Sequence, residues 1–119
     1  MSRDACAILL VEDEFLIAMD LKMQLEGKGY LVRGPAASVE DGLAILDKDT
    51  VCAAILDMNL RGSTSFPIAE RLAKAGTPFM FLSGNDIHQL MEQFAGRTVL
   101  TKPIQYPRLF EELAAICGG

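Results

Sequence analysis

Four apolar runs and one short alternating stretch punctuate the chain, and amphipathic segments of ten to fifteen residues separate them. The runs are Cys6–Val11, Val51–Leu56, Thr77–Leu82 and Thr98–Thr101; Tyr30–Gly34 alternates apolar and polar, and Pro35 is expected to end it. Unbroken Val-, Ile- and Leu-rich runs of this length read as strands buried on both faces, as in parallel sheets. Between them, Glu14 to Lys28 has helical composition and stops at Gly27 and Gly29, residues suited to helix ends. Ser38 is placed to cap a second helix, with Asp41 at its positive end and Val39, Leu43 and Leu46 at helical spacing. The polar stretch Arg61–Ser65 reads as a loop, with Ser65 or Thr64 capping a third helix that tolerates Pro67 in its first turn and runs to Gly76. Asp86 caps a fourth helix carrying Ile87, Leu90, Met91 and Phe94, and Pro107 opens a last one carrying Leu109, Phe110, Leu113 and Ile116.

Five strands alternating with five helices through short connections predict an α/β fold, a three-layer sandwich around a parallel five-stranded sheet. Residues 1–119 read as one domain, with no internal repeat or linker.

The strand ends carry the chemistry. Counting Tyr30–Gly34 as the second strand, the first strand ends on Glu12-Asp13, the third on Asp57, the fourth on Ser83 and the fifth on Lys102. In a parallel sheet these ends share one rim, where ligands of open α/β folds gather. An isolated Asp57 could equally cap a turn; three carboxylates, a hydroxyl and an ammonium on one rim favour a site. Clustered carboxylates repel, and oxygen ligands with room for water suit Mg²⁺ or a similar hard cation. With the charge neutralised, Asp57 can serve as a nucleophile toward phosphorus, with Ser83 and Lys102 spreading the charge of the transferring group.

Taken in order, Leu10-Val11-Glu12-Asp13, Leu56-Asp57-Met58-Asn59, Leu82-Ser83-Gly84 and Lys102-Pro103 resemble the motifs of bacterial two-component response regulator receiver domains of the chemotaxis-regulator type, along nearly the whole chain. The resemblance implies the flavodoxin-like strand order 2-1-3-4-5 and assigns roles by position. Asp57 matches the phosphoacceptor, supplied by a histidine kinase or histidine phosphotransfer protein. Asp13, Asp57 and the backbone carbonyl of Asn59 match the Mg²⁺ ligands, with Glu12 reaching the cation through water. Ser83 matches the switch hydroxyl and Lys102 the phosphate-pairing lysine, with a cis bond to Pro103 expected. Asn59 and Asn85 match positions flanking the attacking water, which implies measurable self-dephosphorylation.

Two positions depart from the pattern. Val99 stands where receivers often carry an aromatic residue that turns inward, and Arg61-Gly62 replaces the common proline after the acceptor. Arg61 is expected to be solvated, a place near the phosphoryl group being the alternative, and His88 to lie on the surface. On the first helix Ile17, Leu21 and Leu25 form a stripe for the sheet, while Leu16, Met19 and Met23, with Phe15 nearby, form a second. That second stripe is expected to be partly exposed and to dock a histidine-bearing partner or a second copy; a neighbouring helix covering it is the competing reading.

Composition narrows the picture further. A net charge of −5 argues against direct nucleic-acid binding, and no eighteen-residue apolar segment or signal sequence indicates a membrane. Cys6, Cys52 and Cys117 form no CxxC pair and read as buried reduced thiols, fitting the cytoplasm. The leading function is a regulatory phosphoacceptor that signals by altered protein association, with an effector among its partners. An unphosphorylated adaptor with a vestigial site, and a small phosphohydrolase, are the alternatives.

Overall fold

The computed structural model describes residues 7–84, 94 and 96–117. In chain order the elements are β1 (Ala7–Val11), α1 (Phe15–Gly27), β2 (Leu31–Ala36), α2 (Val39–Lys48), β3 (Ala53–Asp57), β4 (Asn59–Leu60), β5 (Ser63–Thr64), α3 (Phe66–Ala75), β6 (Phe79–Ser83), β7 (Val99–Thr101) and α4 (Tyr106–Ile116). The main sheet is parallel throughout, in the order β2-β1-β3-β6-β7. With the two-residue strands β4 and β5 set aside as a separate hairpin, this is the expected 2-1-3-4-5. Most of the expected fourth helix, with Asn85 and His88, lies outside the described residues.

Strands β1, β3 and β6 are buried along their whole length, and alternate residues feed two cores. Leu9, Val11, Ala54, Leu56, Phe79 and Phe81 face α2 and α3 through Leu43, Leu46, Ile68 and Leu72. Ile8, Leu10, Ile55, Met80 and Leu82 face α1 and α4 through Leu21, Leu25, Leu109 and Leu113. Helices on both faces explain why these strands read as continuous apolar runs, with no polar-out alternation.

The helix starts follow the local chemistry in part. The Ser38 hydroxyl accepts the Asp41 amide at 3.1 Å and caps α2. At α3, by contrast, the Thr64 hydroxyl accepts the Phe66 amide at 3.4 Å, while the buried Ser65 hydroxyl donates to the Met58 carbonyl at 3.5 Å. The cap-position serine thereby ties α3 to the segment just past Asp57.

Three expectations are corrected. Pro35 does not end β2 but lies inside it, after a cis bond. β2 is an edge strand, where a missing amide hydrogen does least harm, and its register with β1 shifts between Leu9 and Val11. Gly34 makes the bulge possible: its φ is +113°, and a Cβ there would sit 2.6 Å from the Leu10 carbonyl oxygen. Second, the stretch from Arg61 is not wholly loop, because Ser63–Thr64 pairs antiparallel with Asn59–Leu60. Third, Cys52 is disulfide-bonded, and Cys117 is the free cysteine among the described residues. Cys52 precedes β3 and its amide donates to the Ala7 carbonyl at 2.9 Å, so it stands half-buried at the amino-terminal end of the sheet. The argument from reduced thiols to a reducing compartment therefore fails at Cys52. Among the described residues, no helix is long and apolar enough to cross a membrane.

Candidate functional site

The rim formed by the carboxyl ends of β1, β3, β6 and β7 assembles the site. The β2 bulge sets its first wall, since the Glu12 amide donates to the Ala36 carbonyl just past Pro35 at 2.9 Å. Glu12 is thereby held with its side chain inside the protein, and its Oε2 accepts the Glu14 amide at 3.0 Å. Asp57 closes β3, the central strand, beside Leu82 of β6. Its Oδ1 accepts the Asn59 amide at 3.3 Å. Lys102 follows β7, and its amide continues the ladder by donating to the Ser83 carbonyl at 2.8 Å; the bond to Pro103 is cis, as expected.

From there the Lys102 ammonium reaches back across the rim. It lies 3.0 Å from Asp57 Oδ2 and 3.1 Å from Glu12 Oε1. Asp13 is held from another direction: its Oδ2 accepts the Arg61 amide at 2.9 Å and pairs with Arg61 Nε at 3.5 Å. Glu12, Asp13 and Asp57 each bring a carboxylate oxygen within 4.8 Å of the others. Asp13 and Asp57 border a cleft of about 390 Å³ whose walls also include Asn59, Arg61, Gly84 and Lys102, while Glu12 is buried.

Burial and crowding raise the Asp57 carboxyl to about 7: desolvation is the main cause and the Glu12 charge adds to it, while the Lys102 bond and charge oppose both. Burial alone would lower the Lys102 ammonium, but its bonds to Asp57 and Glu12 outweigh that and raise it. One half-buried lysine against two carboxylates leaves the cleft with uncompensated negative charge. Oxygen donors on three sides, a partly open cleft and that charge suit a hard divalent cation. Glu12, Asp13 and Asp57 are placed where they could hold one, and Asn59 lines the cleft beside Asp13 and Asp57.

Ser83 is on the same rim but differently placed. It is buried, and the cleft wall at this point is Gly84. Asn85 lies outside the described residues. Arg61 is 84% exposed in its side chain, as expected of a solvated residue, yet it also grips Asp13.

The family model of the response regulator receiver domain matches residues 8–114. The chain belongs to that family. The cell cycle transcriptional regulator CtrA of Caulobacter vibrioides is 29% identical over 117 residues, covering 92% of this chain and 49% of the relative. The receiver domain thus spans about half the length of the curated relatives it matches. Among solved structures, SdrG from Sphingomonas melonis Fr1 is 40% identical, with a TM-score of 0.83 and 98% of each chain covered. The response regulator TrrA of Thermotoga maritima, solved in complex with Mg²⁺-BeF, is 22% identical and shares the fold, with a TM-score of 0.80 over 93% of this chain and 98% of that one. As a receiver domain, the chain is a regulatory module of two-component signalling.

Proposed function

We propose that this receiver domain takes a phosphoryl group onto Asp57 from the histidine of a sensor kinase or phosphotransfer protein, and signals by altered association with an effector or a second copy. The reading rests above all on the Lys102 ammonium lying 3.0 Å from an Asp57 carboxylate that closes the central strand. A carboxylate oxygen of Asp57 forms the new bond to phosphorus. The donor's phosphorus–nitrogen bond breaks, and its electron pair stays on the imidazole. Glu12, Asp13, Asp57 and the Asn59 carbonyl are the groups that would hold Mg²⁺, which when bound offsets the negative charge of the carboxylates and the phosphoryl oxygens. Lys102 keeps Asp57 oriented and supplies a second positive charge. A buried acyl phosphate on Asp57 would signal through Ser83, without the aromatic ring that Val99 replaces. A cytoplasmic setting belongs to this reading through the family alone.

Incubation with acetyl phosphate and Mg²⁺ followed by intact mass tests the proposal. One labile phosphoryl adduct per chain, absent in Asp57→Ala, is the expected result. Catalytic phosphate release without an adduct would favour a phosphohydrolase, and no adduct at all an adaptor.

The donor's docking site is proposed to be the outer stripe of α1. Phe15 (72% exposed), Leu16 (80%), Met19 (41%) and Met23 (63%) are open to solvent, while Leu21 and Leu25 are buried, as the two-stripe pattern predicts. Leu16 and Ile17 face Lys102, Pro103 and Ile104 across a groove of about 260 Å³. The Tyr106 hydroxyl donates to Asp20 at 2.6 Å and ties the two sides together. A histidine delivered to Asp57 must come from a partner seated on this rim, and an apolar surface beginning two residues beyond Asp13 fits that need. Met23→Glu is expected to slow transfer from a phosphohistidine donor several-fold while leaving acetyl phosphate uptake unchanged; equal slowing with both donors would remove the docking role.

A further inference from the structure

Two cations serve three acids on this rim, and they divide the work unequally. Lys102 is largely buried and spans Glu12 and Asp57. Asp13 has a different partner. Its side chain is 9% exposed, and its Oδ2 is held by both the backbone amide and Nε of Arg61, from the tip of the β4–β5 hairpin. We propose that Arg61 is a built-in competitor of the divalent cation for Asp13, setting how tightly the site binds Mg²⁺. The inference rests on the cation reading of the preceding subsection and adds to it the residue that tunes affinity.

The placement suits displacement. The Arg61 side chain is 84% exposed, so it is rehydrated at little cost when released, and an exposed ion pair of this kind is weak. Gly62 beside it has φ +75° and nothing within 4 Å of where a Cβ would lie, so the turn is open on its outer side. A dication among the three carboxylate oxygens outcompetes one guanidinium for Asp13, yet it must do so against the Arg61 contact. The same hairpin begins at Asn59, whose amide donates to Asp57. Lys102 cannot play this part, because it is enclosed between the two acids it serves.

Isothermal titration of the metal-free protein with MgCl₂ tests the idea, comparing wild type, Arg61→Gln and Arg108→Gln. Arg108 is a matched control: it is exposed, pairs with Glu112 at 3.2 Å, and carries the same charge outside the site. Arg61→Gln is expected to tighten Mg²⁺ about two- to five-fold, the range that losing an exposed ion pair implies, and Arg108→Gln to leave it unchanged. In wild type the Arg61 Nε–Hε NMR signal is expected to move with the same midpoint as the heat. Equal tightening in both variants would reduce the effect to net charge and overturn the proposal, as would unchanged or weaker binding in Arg61→Gln or a stationary Nε signal. Absence of Mg²⁺ binding in all three proteins would overturn the cation reading itself, and the competitor with it.

Discussion

Replacing Lys102 by methionine is expected to slow phosphoryl uptake from acetyl phosphate by about 100-fold, the usual cost of removing one charge-stabilising donor, without weakening Mg²⁺. The two effects separate because Lys102 has two jobs. It touches Asp57 at 3.0 Å and Glu12 at 3.1 Å, so it balances buried charge in the resting site. On the proposed reading it would also lie near the oxygens of a group transferred onto Asp57. A methionine of similar length keeps the packing but not the charge. The acids it leaves behind attract a dication more strongly, so uptake must fall for want of the second cation and not for want of the first. Time courses by intact mass at saturating Mg²⁺, with the cation affinity measured separately, check this. Uptake at the wild-type rate would confine Lys102 to charge balance in the resting site and remove it from the transfer step.

The features of this site that could be read from the chain are those carried by strand ends. A short apolar run bounded by polar residues reads as a strand buried on both faces, and the first polar residue after it marks the rim where the strand ends. Glu12 and Asp57 are legible on that ground, because each stands at the end of such a run, while Lys102 follows the short edge strand β7; the parallel topology then brings them together. Arg61 was half legible. Its exposure follows from its place in a polar turn, but its grip on Asp13 spans 48 residues of chain, and nothing local to either residue encodes it. The same holds for Pro35. As a local signal it reads as a break, whereas the cis bond, Gly34 and an edge-strand position let β2 continue to Ala36, whose carbonyl then fixes Glu12. The bond from the Ser65 hydroxyl to Met58 was likewise beyond a local reading, since helix-cap chemistry predicts the nearby amides as its partners. Cys52 shows a related limit: strand-like surroundings argue for a buried thiol, but its pairing is set by tertiary neighbours at the end of the sheet.

Asp57→Asn is expected to stabilise the metal-free domain, and by an amount that depends on pH. Burial and the Glu12 charge lift the Asp57 carboxyl from 3.8 to about 7 in the folded protein. Between those values the native state holds a proton that the unfolded chain has lost. Stability contributed by this residue is therefore present near pH 4, falls as pH rises, and is gone above about 7. Asparagine carries no such penalty. The stability gap between variant and wild type should be small near pH 4, open between pH 4 and 7, and stay constant above that. Discounted for solvent screening and for the loss of the Lys102 contact, the gap is about 2 kcal/mol at pH 8, or roughly 5–10 °C in melting temperature. Saturating Mg²⁺ should close or reverse it, because only the wild-type carboxylate gains from the cation. Urea unfolding of both proteins at pH 4.5, 6 and 8, in EDTA and in MgCl₂, measures all of this. A gap that does not change with pH would mean that the acceptor carboxylate is not strained by its burial, and that the cleft does not draw its affinity for a cation from unbalanced charge.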